Sequence, residues 1–315
     1  MMKEKIMNIH QEEGLLSLIR QGSLAINAKF YDEFWFDNGS LVTNKDWDVL
    51  IILDACRFDL YEEVINTMSD FNNKLGCITS AGSSSYEFIN KNFTDGDLHD
   101  TVYITANPYV HLISDNIFHS TYDLINDDSC WDDENQVVLP STMTSKAIEV
   151  AEKYPNKRLI IHFMQPHYPF IGEIGETLEE NRGVYGDRTG MNISEKTIWD
   201  WAQQKLWCDI DTIWAAYREN LALVLPYVKQ INDRVKGKVV VTSDHGNLVG
   251  DRYLPIPVRT YAHPGYRHVP SLVKVPWHEL DHDYRRDIHN EEPDRKSRIS
   301  SKPAKERLRA LGYSE

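Results

Sequence analysis

Cysteine is scarce in this sequence: four residues, Cys56, Cys77, Cys130 and Cys208, are scattered without a C-x-x-C pair. That spacing suggests neither a zinc knuckle nor a disulfide framework, and reduced thiols are expected. Positive charge is short as well. Lys and Arg number 34 against 48 Asp and Glu, a formal net charge of −14, which argues against a nucleic-acid partner. The same imbalance would repel an anionic substrate unless local cations, such as a metal ion, overcame it. The apolar runs are too short to span a bilayer. No export leader is recognised, and "MMKEKIMNIHQEEGLLSLIRQGSLAINAKF" reads as an amphipathic helix. The expectation is a cytoplasmic protein without an integral membrane segment, with an unusual uncleaved export route as the open alternative. There is no internal repeat and no low-complexity tract.

What is present fits a globular chain: 41% hydrophobic and 26% charged residues over 315 positions, enough to bury a full core. Short Val- and Ile-rich strand candidates lie at 49–53, 77–79, 101–105, 158–163 and 238–242. Helical patterns fall between them, near 59–68, 85–92, 145–153 and 209–235. Strands alternating with helices predict an α/β fold with a mostly parallel central sheet covered on both faces. Residues 114–136, which are acidic, and 172–198 read as insertions or loops. We expect an N-terminal helical extension over 1–45, a catalytic domain over 46–277 and a charged tail over 278–315. The tail closes on "AKERLRALGY", a short helix docking through Leu308, Leu311 and Tyr313. Trp131, Trp199, Trp201, Trp207 and Trp214 are read as core or lid packing, with a sugar-sized pocket as the alternative.

In a parallel sheet the ligand gathers beyond the carboxyl ends of the strands, so the residues that follow each strand carry the functional reading. "VLIIL" is followed by Asp54, "KVVVT" by Ser243-Asp244-His245-Gly246, and "RLIIHF" by a loop with His167 between two prolines. "CIT" leads into "SAGSSSYEF", a turn of small residues that enters a helix. Two carboxylates, an imidazole and a hydroxyl suit a divalent cation. Such an ion lowers a hydroxyl pKa and makes serine a nucleophile, and a helix start favours the anion under attack. Displacement at a phosphate or sulfate ester needs this combination.

At these residues the chain resembles the alkaline phosphatase superfamily, and within it sulfatase-like hydrolases and phosphoglycerol transferases. The motifs are "DWDVLIILDACRFD", "HFMQPHYPF", "VVVTSDHG", "YAHPGYRHVPSLVKVPW" and "ERLRALGY". The resemblance implies a fold of that type and a metal held by Asp54, Asp244 and His245 beside a serine. Members often carry a proline two residues after the nucleophile; Tyr86 stands there in this chain, which points to Ser84, with Ser83 and Ser85 as open alternatives. His167, with His263 or His268, would contact the ester oxygens or the leaving group. Arg57 is expected to pair with Asp59, with an anion as its alternative partner. One ion (Mn, Zn, Mg or Ca) is expected. A second, through the histidines and Asp209 or Asp211, lacks the D-x-x-x-H pattern.

Cys56 does not fit the formylglycine motif C-x-P-x-R, and its adjacent arginine rules out the tyrosine-phosphatase spacing; it is read as a packed side chain. A plain serine favours a phosphoester over a sulfate ester. The substrate class implied is an anionic ester, either a small molecule or one carried on a glycan or lipid. The alternatives are a sulfatase proper and an inactive binding protein on the same fold.

Overall fold

The computed structural model describes residues 19, 22–34, 38–71, 74–189, 197–204, 209–294 and 305–312. Cys208, Trp207, Tyr313 and most of the expected N-terminal extension lie outside them. Among the described residues there are eleven strands: β1 (Val49–Leu53), β2 (Lys74–Thr79), β3 (Leu98–Thr105), β4 (Phe118–Asp123), β5 (Trp131–Asp132), β6 (Val137–Val138), β7 (Arg158–Phe163), β8 (Val239–Thr242), β9 (Leu248–Arg252), β10 (Arg259–Ala262) and β11 (Lys274–Glu279). Seven of them form the central sheet, in the order β2-β11-β8-β1-β7-β3-β4. β8, β1, β7, β3 and β4 pair in parallel, and β11 runs antiparallel to both of its neighbours.

β1 sits in the middle because it can. All five of its side chains are fully buried, as expected of a strand covered on both faces. Alternation divides the core in two. Val49, Ile51 and Leu53 share one face with the helices Phe58–Ile65, Pro140–Lys153 and Ile210–Arg234. Leu50 and Ile52 share the other with Ile160, Val240, Tyr103 and the helix Ser85–Phe93, which packs through Phe88, Ile89 and Phe93. Each fully buried aliphatic side chain contributes about 1.5–3 kcal/mol of transfer free energy.

Two expectations change. Residues 114–136 include β4, the parallel edge strand, whose half-exposed polar sequence FHSTYD hides the usual pattern. Residues 172–198 include the helix Glu173–Thr189. The residues after β11 cross the amino ends of the strands, where Arg285 pairs with Asp46 and Asp48 and Arg286 donates to the carbonyls of Tyr154 and Lys157. The closing helix Lys305–Ala310 docks through buried Leu308 and Leu311, and Arg307 lies 5.0 Å over the Trp131 ring. Trp199 and Trp201 are buried, as core packing requires.

Candidate active site

Strand register levels the site. Ile52 of β1 lies opposite Thr242 of β8 and His162 of β7. Two residues beyond Ile52 is Asp54, and two beyond Thr242 is Asp244, so both carboxylates leave the sheet at the same height. Side chains two apart share a face. Asp54, Asp244 and His162 therefore stand on the face covered by the helix Ser85–Phe93, and that helix brings its first residue to them. The Asp54 amide still donates to Phe163 O, at 3.3 Å. The chain then turns sharply at Ala55, with φ 58°, a left-handed conformation uncommon outside glycine. Asp244 Oδ1 and Ser243 Oγ accept from the amides of Ala55 and Cys56 and hold that turn. Gly246 is required by a close approach, since a Cβ there would strike Ser271 O.

Ser85 Oγ lies 2.7 Å from Asp244 Oδ2, 3.1 Å from His245 Nε2 and 3.4 Å from Asp54 Oδ2. Ser84, the expected nucleophile, is placed differently. It is the N-cap of the helix, and its hydroxyl accepts from the Glu87 amide. Ser83 is fully buried, its hydroxyl near Glu87 Oε2 and Pro264 O. The register expected from Tyr86 is therefore off by one from the hydroxyl that meets the carboxylates.

Burial, and then the charge of Asp244, push the Asp54 carboxyl well above its usual range, and burial raises Asp244 too. Among the described residues neither carboxylate has a Lys or Arg partner. Asp54 Oδ1 and His162 Nε2 are buried without a hydrogen bond, and ligand atoms of Asp54, His162 and Asp244 all lie within 4.8 Å of one another. Buried like charges and two orphaned donor atoms are what a bound cation would satisfy. The donor set fits a divalent metal ion.

Four imidazoles, His162, His167, His245 and His263, stand in or beside the cluster. Burial lowers His245 and His167 to about 3 and His162 to about 4, and pushes His263 well below its ordinary value. All four are neutral near pH 7. Their neighbours then assign the tautomers. His245 Nδ1 faces Gly246 O at 2.7 Å and must donate, leaving the Nε2 lone pair toward Ser85. His167 Nδ1 faces Tyr168 O, so its Nε2 accepts from His263 Nε2–H at 2.8 Å. The His263 ring lies 4.6 Å from that of His245 and is half-buried, whereas Ser85 is wholly buried.

Two residues expected to bind substrate are otherwise engaged. Arg57 bonds Asp59 through Nε and Nη2, at 2.8 and 2.6 Å, and Asp251 and Asn247 O through Nη1, and it stacks on Trp214. Its pairing with Asp59 was expected; Asp251 takes the place of an external anion. His268 is held at both nitrogens, by Asp32 and Glu87, at 2.6 and 2.7 Å. Asp209 and Asp211 are exposed, and Asp209 is spent capping its helix at Thr212 N. Cys56 is buried and lies outside the cluster of ligand atoms.

Two site residues escaped the sequence reading. His162 is the lone polar side chain in the buried part of β7, and counting alternation against Asp54 would have found it; its Nδ1 meets Tyr103 OH at 2.8 Å. Asn107 stands two residues past β3 and donates to Asp54 Oδ2 at 2.7 Å. Its signal was the same strand-end rule, applied to one more strand.

No protein-family model matches the chain, and no curated protein matches it. Among solved structures it is similar to the soluble domain of lipooligosaccharide phosphoethanolamine transferase A from Neisseria meningitidis. The identity is 12% and the TM-score 0.43, over 73% of this chain and 75% of that one. It is also similar to the integral membrane protein of that name from the same organism, at 14% identity and TM-score 0.43. That match takes in 74% of this chain but 47% of the other, about half its length. A protein in the alkaline phosphatase superfamily from Vibrio parahaemolyticus is similar over 93% of this chain and 75% of its own, at 11% identity and TM-score 0.35. Among the described residues no helix is long and apolar enough to cross a membrane.

Proposed function

We propose that this chain is a metal-dependent phosphoester hydrolase or phosphotransferase of the alkaline phosphatase superfamily type, with Ser85 as its nucleophile. The observation that carries the proposal is the approach of one buried hydroxyl to Asp54, Asp244 and His245 within 3.4 Å. Asp54, Asp244, His245 and Ser85 would hold one divalent ion, with His162 as a further donor. When bound, the ion supplies positive charge that lowers the serine pKa and neutralises ester oxygens. Manganese and zinc suit carboxylate oxygens mixed with imidazole.

The chain's own groups do the rest. Ser85 Oγ gives its proton toward Asp244 Oδ2 and attacks phosphorus. An Oγ–P bond forms and the P–O bond to the alcohol breaks; the leaving oxygen accepts a hydrogen bond from the neutral His263 Nε2–H and takes its proton from water. Asn107 keeps Asp54 in place. Water or an acceptor alcohol then removes the phosphoryl group from Ser85. An unmodified serine supports a phosphoester rather than a sulfate ester. The substrate is an anionic ester, free or carried on a glycan or lipid, as the sequence resemblance implies.

The test is a panel of phosphomonoesters and phosphodiesters assayed with added manganese or zinc. Ser85→Ala is expected to lower kcat by at least about 1,000-fold, while Ser84→Ala keeps activity within about tenfold, the loss of a cap. Full activity in Ser85→Ala, or indifference to removal of metal by a chelator, defeats the proposal.

A further inference from the structure

Glu87 lies two residues past Ser85, is 1% exposed and takes no part in the Asp54–Asp244–His245 cluster. A buried carboxylate is costly unless well partnered, and this one is partnered from three directions. Its Oε2 accepts from the Ser83 amide at 3.0 Å and from the Tyr266 amide at 3.3 Å, with Ser83 Oγ at 3.1 Å. Its Oε1 meets Lys91 Nζ at 2.8 Å and His268 Nε2 at 2.7 Å. The donors belong to the turn before Ser85, to the same helix, and to the loop 263–268. Ser83 adds another tie to that loop by accepting from the Arg267 amide at 3.0 Å.

The loop needs holding. It is entered and bent at non-glycine residues in left-handed conformation, Ala262 with φ 65° and Tyr266 with φ 57°, each costing roughly 1–3 kcal/mol. It begins with His263, whose Nε2–H faces His167 Nε2 and whose ring lies 4.6 Å from that of His245, the neighbour of Ser85 Oγ. Lys91 Nζ and His268 Nε2 both meet Glu87 Oε1, at 2.8 and 2.7 Å, so the tie is a charge-assisted one.

We infer that Glu87 and His268 form a positioning pair that fixes the loop 263–268, and so His263 Nε2, relative to Ser85 Oγ. The inference rests on the function proposed above, with Glu87 and His268 acting through other residues. His268 is thereby removed from substrate contact, and Asp32 clamps its outer nitrogen from the helical segment 22–34.

The experiment compares wild type with Glu87→Gln, His268→Gln and the double variant, using p-nitrophenyl phosphate with manganese. A misplacement of about 1 Å costs on the order of 100-fold, so kcat is expected to fall by about that factor in each single variant, with KM nearly constant. The double variant falls no further, because the two residues serve one contact. Calorimetric manganese affinity stays within about twofold, since neither residue faces the metal cluster. Hydrogen exchange gives a readout independent of turnover: the Tyr266 and Arg267 amides exchange at least about tenfold faster in Glu87→Gln. Unchanged amide protection overturns the inference whether or not the protein turns over this ester. So do unchanged kcat in Glu87→Gln, multiplicative losses in the double variant, or manganese affinity falling in step with kcat. Wild type that is no more active than Ser85→Ala across the ester panel instead defeats the functional reading, and the amide result then judges the pair by itself.

Discussion

Ser84 stands at the N-cap with φ −154° and ψ 158°, so its hydroxyl folds back onto the amide of Glu87, while Ser85, one step into the helix, reaches across to Asp244. The three-serine run could not reveal this from sequence, because the register mark that the resemblance implied, a proline two residues after the nucleophile, is replaced by Tyr86. The strand-end residues were readable: Asp54 directly follows a buried apolar run, and Asp244, His245 and His167 lie two to four residues past theirs. His162 was obscured because it lies within such a run rather than after it. If its Nε2 completes the metal sphere, His162→Phe is expected to weaken manganese or zinc binding by about 10- to 100-fold, as read by calorimetry. An unchanged affinity would place that nitrogen outside the sphere.

Elements were legible where their chemistry was one-sided. β1, β7 and β8 announce themselves as Val- and Ile-rich runs, and the long helix Ile210–Arg234 by its apolar spacing. The helix Pro140–Lys153 begins earlier than the pattern implied, because Pro140 opens it at a position where a missing N–H costs nothing. β4 was hidden by its polar edge sequence. Arg57 shows how elements are tied around the site. Its guanidinium joins the start of the helix Phe58–Ile65 to β9 through Asp251, whose side chain is 17% exposed. Arg57→Ala leaves that carboxylate without its cationic partner, held among the described residues only by the Val249 amide and Ser271 Oγ, and urea unfolding is expected to show a loss of about 3 kcal/mol. A loss under about 0.5 kcal/mol would mean that solvent screens the pair.

At the scale of the molecule, strand order was not legible, since neighbours such as β8 and β1 are nearly 200 residues apart and pair only through space. The helical segment 22–34 illustrates the same point, since Asp32 reaches His268 across the fold. That contact carries a pH signature. Burial disfavours charge on His268, but Glu87 and Asp32 raise its pKa above the ordinary 6.5; Lys91 shares Glu87, and Arg267 is its chain neighbour. A raised histidine stabilises the fold fully below about pH 6.5 and loses that contribution as pH climbs through the folded value. The difference in melting temperature between wild type and His268→Gln is therefore expected to be widest near about pH 5 and to narrow toward about pH 9. A gap that widens on the alkaline side would contradict the pairing. The matched two-residue step from Ile52 to Asp54 and from Thr242 to Asp244 has a consequence of its own: this edge tolerates changes of side chain far better than changes of length. Exchanging one aliphatic residue for another in β1 leaves both acids abreast. Deleting a single codon there would lower one acid below its twin and turn it toward the opposite side, a fault that no neighbouring substitution mends.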